Sequence, residues 1–415
     1  MLAQLCTLVK YALPIVCKES GMDHYVALWI KLKSNSLIGK GEPLNWEAIL
    51  SAFSGNTIGW TFIAVILTWA YLWMILAREE IKGATSADGY IQSYKGNAVT
   101  YYLITVLTYL CAQWMWPNLS STIFDNMPNI LGTLSITAFA LNFYLYFSSN
   151  EGAGLPILYL FFIGRQIHPK VLGVDFKQLI ICRVAMMIWQ IQVFAFFFAA
   201  LDKRSFDVPT LVTCLLQTAY LFKSFIYETA YFHSIDFTLD RAGYYLIWGS
   251  LVWLPCLYPF NSYFLVNHPP VISNKNAILI LIFGIISITA TLMIDLEKAR
   301  FRRTNGNTLI WNKKPTYIVA KYTDNTGTEK TSLLLASGGW GLARHLNYTL
   351  ELLSALSWSL PAHGLGITGY IFIMFVNVLL FHRIFRDESK CKAKYGKYWE
   401  EYCKKVPYRL LPYVF

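Results

Sequence analysis

Residues 277–303 read AILILIFGIISITATLMIDLEKARFRR: eighteen residues without a charge, then six charged side chains in nine. A chain crossing hydrocarbon needs roughly 20 largely apolar residues, because only a helix satisfies its own backbone there. Residues 277–294 suit such a span, and the basic tail suits its cytoplasmic end. Runs at 58–77, 98–116, 129–147, 178–200, 209–226, 244–266 and 365–381 repeat the pattern, while 155–164 is shorter and 333–362 is mixed. The sequence therefore predicts an all-α, polytopic integral membrane protein with about 8–10 transmembrane helices.

Composition agrees. Of 415 residues, 55% are hydrophobic and 14% charged, against about 25% charged in a soluble domain. A soluble enzyme is not expected on that ground. The net charge of +11 is concentrated, because residues 295–330 and 383–409 together carry +9. Both basic stretches are expected on the cytoplasmic face, suited to anionic lipid or a phosphorylated ligand. Nucleic acid is not expected as a partner, since no soluble reading module exists. The eight cysteines are scattered without a CxxC, so neither a disulfide framework nor a metal site is expected. The opening MLAQLCTLVKYALPIVC lacks a basic n-region and is interrupted by Lys10, which reads as no cleaved signal.

If both basic stretches face the cytoplasm, the chain between them crosses an even number of times. Residues 365–381 supply one crossing, so 333–362 is expected to supply the other. That stretch contains Arg344, His345 and Glu351, which are costly at membrane depth unless they face protein or water.

Four constellations could carry chemistry. Lys298 and Arg302 stand i,i+4 on one helical face and could grip a phosphate, or simply end a span. In 333–348, LLLASGGWGLARHLNY, glycines permit close approach and Trp340, Asn347 and Tyr348 gather polar and stacking groups; the alternative is tight helix packing. In 382–402, Arg383 and Asp387 pair at i,i+4, and Tyr395, Trp399 and Tyr402 form a stripe that is commonly core. The loop 228–243 holds Glu228, Tyr231 and Asp236, a carboxylate-and-phenol group able to deliver a proton at a membrane cavity, or a merely solvated connection.

At these residues the chain resembles the sterol reductase family of multi-spanning membrane enzymes. The family signature LLxSGWWGxxRHxNY is matched by LLASGGWGLARHLNY (334–348). A second signature, HRxxRDExxCxxKYGxxWxxYxxxVPYRxxP, is matched by HRIFRDESKCKAKYGKYWEEYCKKVPYRLLP (382–412). The Δ7-reducing branch is the nearer likeness, on FRRTNGNTLIW (301–311), the extra segment 313–332, ICRVAMM (181–187), DRAGYYLIWGSLVWLP (240–255) and YFLVNHP (263–269).

The resemblance implies NADPH as cofactor. Lys298 and Arg302 would hold its phosphates, helped by Arg303. Leu335, Trp340, Asn347 and Tyr348 would form the nicotinamide-ribose side of the pocket. Asp387, Cys391, Lys394, Tyr395 and Tyr402 would form the remaining wall, with Arg383 orienting Asp387. It further implies reduction of C7=C8 in 7-dehydrocholesterol to give cholesterol, by protonation at C8 and hydride transfer to C7. Glu228, Tyr231 and Asp236 are the candidate acids. A sterol entering from the bilayer would meet a helical bundle in 1–294 and an NADPH-binding half in 295–415. The host membrane would be endoplasmic reticulum in a eukaryote and inner membrane in a bacterium. Departures from the family pattern are Gln166 for a carboxylate, Gly339 for the first tryptophan of the pair and Ser250 for an aspartate. Rival readings are a Δ14- or Δ24-sterol reductase, a membrane methyltransferase using S-adenosylmethionine, and a non-catalytic sterol-binding protein.

Overall fold

The computed structural model describes residues 54–415, apart from 87–88, 153, 324–326 and 328. The opening segment, with Cys6 and Cys17, lies outside the described residues. From the amino end, α1 (Thr57–Leu76) leads to a hairpin, β1 (Glu80–Thr85) and β2 (Ile91–Lys95), then α2 (Ala98–Met115), α3 (Leu119–Asp125), α4 (Met127–Phe147) and α5 (Ile157–Ile163). A two-residue ladder, β3 (Lys170–Val171) with β4 (Val174–Asp175), precedes α6 (Gln178–Lys203), whose first turns are π-helical, and α7 (Val208–Ile226). Then come α8 (Asn274–Arg303), the antiparallel pair β5 (Tyr317–Thr323) and β6 (Glu329–Leu335), α9 (Leu346–Ser359), α10 (Ile371–Tyr395) and α11 (Lys397–Lys405).

The chain is mostly helical, and six helices among the described residues are long and apolar enough to cross a membrane: α1, α2, α4, α6, α8 and α10 with its preceding turn from Ile367. The other apolar runs have separate fates. Residues 208–226 form one helix, α7, but Gln217 and Lys223 interrupt its apolar character. Residues 244–266 break into short pieces around a π-turn at Gly249–Trp253, with Pro255 and Pro259 just beyond. Prolines cannot continue the helical ladder.

Residues 333–362 correct the expectation of a second crossing between the basic stretches. Leu333, Leu334 and Leu335 are strand residues, paired in register with Val319, Ile318 and Tyr317. Glycines 338, 339 and 341 follow, and α9 has only 14 residues, about 21 Å at about 1.5 Å per residue. That is short of a hydrocarbon core of about 30 Å.

The chain packs as two compact units. One takes residues 54–76, Asp125–Ala185 and Ser234–Pro255; the other takes Ala77–Phe124, Met186–His233 and Cys256–Phe415. In the first, Asp175 caps α6 by accepting from the Gln178 N–H at 2.8 Å. The neighbouring Lys177 Nζ donates to the carbonyls of Asp236 (2.8 Å) and Asp240 (2.5 Å). The second carboxylate oxygen of Asp175 is buried without a partner.

Burial pushes the Asp175 carboxyl up to about 6, against the Gln178 N–H, Lys177 and Lys170, which favour its charged form. A carboxyl whose folded value exceeds its unfolded one costs stability as pH rises through the two values. For Asp175 that window runs from about 4 to about 6, and the cost at neutral pH is on the order of 3 kcal/mol. Asp175→Asn keeps a capping oxygen. It should raise the melting temperature in detergent near pH 8 and leave it almost unchanged near pH 4. An equal shift at both values would contradict a buried charge.

In the second unit, α7, α8 and α9 pack on one another. The buried side of α8 is small: Ala277, Gly284, Ser287, Ile288 and Thr291. At Gly284 a Cβ would stand 2.5 Å from both Leu216 Cδ2 of α7 and Ser357 Oγ of α9, so the crossing needs glycine. Beyond the end of α8, Trp399, Tyr402 and Val406 pack against Ile318, Ala320 and Leu334. The hairpin and α11 thus share a core where the basic stretches meet.

Candidate functional site

All twelve expected cofactor-binding residues lie in the second unit. The last turns of α8 set the geometry. Asp295, Lys298 and Arg302 recur at helical spacing, so they share one face. Lys298 Nζ lies 3.7 Å from the centroid of the Trp340 ring, and Asp295 lies beside Asn347.

The glycine stretch is strapped to the same helix. Trp340 Nε1 donates to the Ile294 carbonyl at 3.0 Å, and the Gly339 N–H donates to Glu297 Oε1 at 3.2 Å. Gly338 has φ 63°, and a Cβ there would collide with the Glu297 carboxylate. At Gly339 a Cβ would stand 2.9 Å from Ile294 Cγ1. A tryptophan at this position would have to displace the Ile294 side chain of α8.

From α9, Tyr348 donates to Asp387 Oδ2 at 2.6 Å and is also hydrogen-bonded to Arg383. Arg383 therefore meets the Tyr348 end of the pair as well as sitting one turn from Asp387. Asn347 Oδ1 and Asp387 Oδ1 are both buried with no partner. Buried acceptors are normally satisfied, so these two oxygens suit N–H or hydroxyl donors from a ligand.

The outer wall comes from the hairpin and from α10 and α11. Tyr402 donates to the Trp340 carbonyl at 3.3 Å, and burial pushes its phenol up. Lys394 Nζ stands 4.3 Å from the Tyr322 ring, and Tyr395 Oη reaches Ser332 Oγ at 3.4 Å. Cys391 and Tyr395 pack against the hairpin core. Leu335 is buried with Phe301, Ile310 and Trp340, supporting the Trp340 ring from behind. Arg302 is exposed.

Sequence reasoning missed the polar track that continues inward. Lys223 Nζ of α7 is 2.8 Å from Glu351 Oε1 of α9. Tyr220, one turn before Lys223, lies within electrostatic reach of the same Glu351. Its ring lies between Trp189 and Trp358, at centroid distances of 5.6 and 5.3 Å. Asp295 feels both Lys223 and Glu351, so the track joins the Asn347 end of the cluster. Complementary charges inside two apolar helices were its one sequence signal.

The expected acids divide. Tyr231 is within electrostatic reach of the Tyr220 hydroxyl. Glu228 is buried in the 3₁₀ turn Glu228–His233, while Asp236, on a four-residue helix, belongs to the first unit. The embedded pair Arg344–His345 has another role. Arg344 binds Glu388 through Nε and Nη2 at 2.8 and 2.7 Å, and donates through Nη1 to the Val406 and Pro407 carbonyls. Arg409 reaches the other Glu388 oxygen at 2.9 Å. The pair fastens the segment after α11.

The chain belongs to the Ergosterol biosynthesis ERG4/ERG24 family, whose model matches residues 22–415. It is 36% identical over 355 residues to the 7-dehydrocholesterol reductase of Arabidopsis thaliana, covering 83% of this chain and 82% of that protein. The 7-dehydrocholesterol reductase of Danio rerio is 35% identical over 349 residues, 80% of this chain and 72% of its own. A Delta(14)-sterol reductase of Methylotuvimicrobium alcaliphilum is 28% identical over 403 residues, 94% and 92% respectively. The sterol reductase resemblance read from the two signatures is borne out, and with it a multi-pass membrane protein.

Proposed function

We propose that this member of the family reduces C7=C8 of 7-dehydrocholesterol to give cholesterol, with NADPH as reductant. The observation that carries the cofactor is the pair of buried, unpartnered oxygens on Asn347 and Asp387, with Lys298 within electrostatic reach of both Asp387 and Arg302. Those cations would hold phosphates, and the two oxygens would accept from the carboxamide and ribose. When bound, NADPH supplies the hydride that C7 receives.

The protein's own part is the proton. Tyr220 Oη gives its proton to C8; the C7=C8 electrons form the new C–H bond, leaving an allylic cation at C7. Lys223, through Glu351, returns a proton to the phenolate and balances the charge. Tyr231 stands beside that group as its second phenol. A methyltransferase reading fits less well, because S-adenosylmethionine carries no phosphate for Lys298 and Arg302. The Δ7 choice over Δ14 rests on the relatives' names and on segment 313–332, most of which forms the β5–β6 hairpin.

The test is product analysis by mass spectrometry, with 7-dehydrocholesterol and a Δ14 sterol offered together. Saturation of C7=C8 with Δ14 left intact is expected; the reverse would move the protein to the other branch. NADPH should be preferred to NADH, and Arg302→Ala should raise the KM for NADPH about ten-fold, as loss of one exposed charge-assisted contact does. Equal use of both nucleotides by the unaltered protein would remove the phosphate role of Lys298 and Arg302.

A further inference from the structure

Between α8 and β5 the chain makes a turn with an unusual backbone. Trp311 and Asn312 both have left-handed φ, 49° and 60°. Ile310 and Lys313 exchange both backbone hydrogen bonds, at 2.9 and 3.0 Å. This is a two-residue turn of the kind that Asn-Gly makes readily, and a tryptophan at its first central position is strained.

The strain does not serve the core. Among the described residues Trp311 is 64% exposed and Leu309 58%, while Ile310 between them is buried against Phe301, Leu335 and Trp340. Two contacts fix the height of the turn along α8. The Trp311 side chain lies beside the Glu297 carboxylate, and Ile294 packs against the cluster that holds Ile310. Residues 294–297 are where the uncharged run of α8 gives way to charge. Arg303 ends α8 about 9 Å beyond Glu297 at about 1.5 Å per residue, and the turn returns to the level of Ile294. Met293 and Leu296, at the same height, are also exposed apolar residues. Lys313 and Lys314 follow directly, both exposed.

We propose that Leu309–Lys314 is an interfacial anchor that engages anionic phospholipid headgroups in the leaflet where α8 ends. An exposed indole beside the Glu297 carboxylate suits the boundary between hydrocarbon and headgroup. Lys313 and Lys314 stand beside it to meet the headgroup charge. Glu297 Oε1 also accepts the Gly339 N–H, so the anchor is tied to the segment that carries Trp340. The inference stands apart from the reaction assigned above and needs no turnover to test it.

The full chain is reconstituted in phosphatidylcholine vesicles in which brominated phosphatidylcholine or brominated phosphatidylserine is the quencher. Wild type should lose more tryptophan emission than Trp311→Phe, and the excess should be larger for the brominated serine lipid. The double variant Lys313→Ala/Lys314→Ala leaves the turn itself intact. It should keep the excess quenching but lose the serine preference, by about five-fold per lysine. Equal quenching of wild type and Trp311→Phe overturns the anchor. Equal quenching by the two lipids in wild type overturns its anionic preference. Quenching of Trp311 by 2′-phospho-ADP-ribose with no response to brominated lipid would assign the turn to a nucleotide base instead.

Discussion

Tyr220→Phe should lower sterol turnover by about 10²- to 10⁴-fold, the range set by removing a positioned general acid. The KM for NADPH should stay near its original value. The substitution deletes one hydroxyl and leaves the ring between Trp189 and Trp358. Glu351 keeps Lys223 at 2.8 Å, so no buried charge is left without a partner, and the fold should be little disturbed. Turnover measured by product mass spectrometry, beside nucleotide affinity measured by calorimetry, separates proton delivery from cofactor binding. Tyr231→Phe, Glu228→Gln and Asp236→Asn are the companions. If Tyr220→Phe keeps its turnover while one of these abolishes it, the acid is that residue, and the Tyr220–Glu351–Lys223 group is structural.

What the sequence could convey follows from how local each signal is. The apolar run of α8 and the shared helical face of Lys298 and Arg302 arise within one helix, so spacing alone exposes them. The stripe Tyr395, Trp399, Tyr402 was ambiguous, and the structure divides it. Trp399 and Tyr402 are buried against the hairpin, yet the Tyr402 hydroxyl also reaches the Trp340 carbonyl.

Residues 333–335 misled because three leucines read alike in a strand and in a buried helix. Only their register with Tyr317–Val319 decides between the two. The ion pair Lys223–Glu351 joins residues 128 apart in sequence, and neither end announces its partner. Gly339 is a departure in the signature whose reason is invisible without Ile294 at its shoulder. The sequence thus shows the chemistry of single helices well, and shows little of what two helices make together.

Arg344→Ala should be the most damaging of the substitutions for stability, at about 3–5 kcal/mol, the cost of breaking a buried ion pair from one side. Arg344 and Glu388 are only 6% and 12% exposed at their side chains. Without the guanidinium, Glu388 retains Arg409, which is 35% exposed and more easily screened by solvent. Two backbone carbonyls, Val406 and Pro407, lose their donor as well. Arg344→Lys should recover only part of the loss, because one ammonium cannot present the planar fork that meets Glu388 and both carbonyls together.

Thermal unfolding of the detergent-solubilised protein reads the effect, and a second substitution identifies its cause. If the damage comes from an uncompensated charge on Glu388, Glu388→Gln added to Arg344→Ala should restore part of the melting temperature. If it comes from the freed carbonyls, the double variant should melt no higher than the single one. An Arg344→Ala protein that melts like the original would show that the segment after α11 is held by Trp399, Tyr402 and Val406 against the hairpin, with the ion pair contributing little.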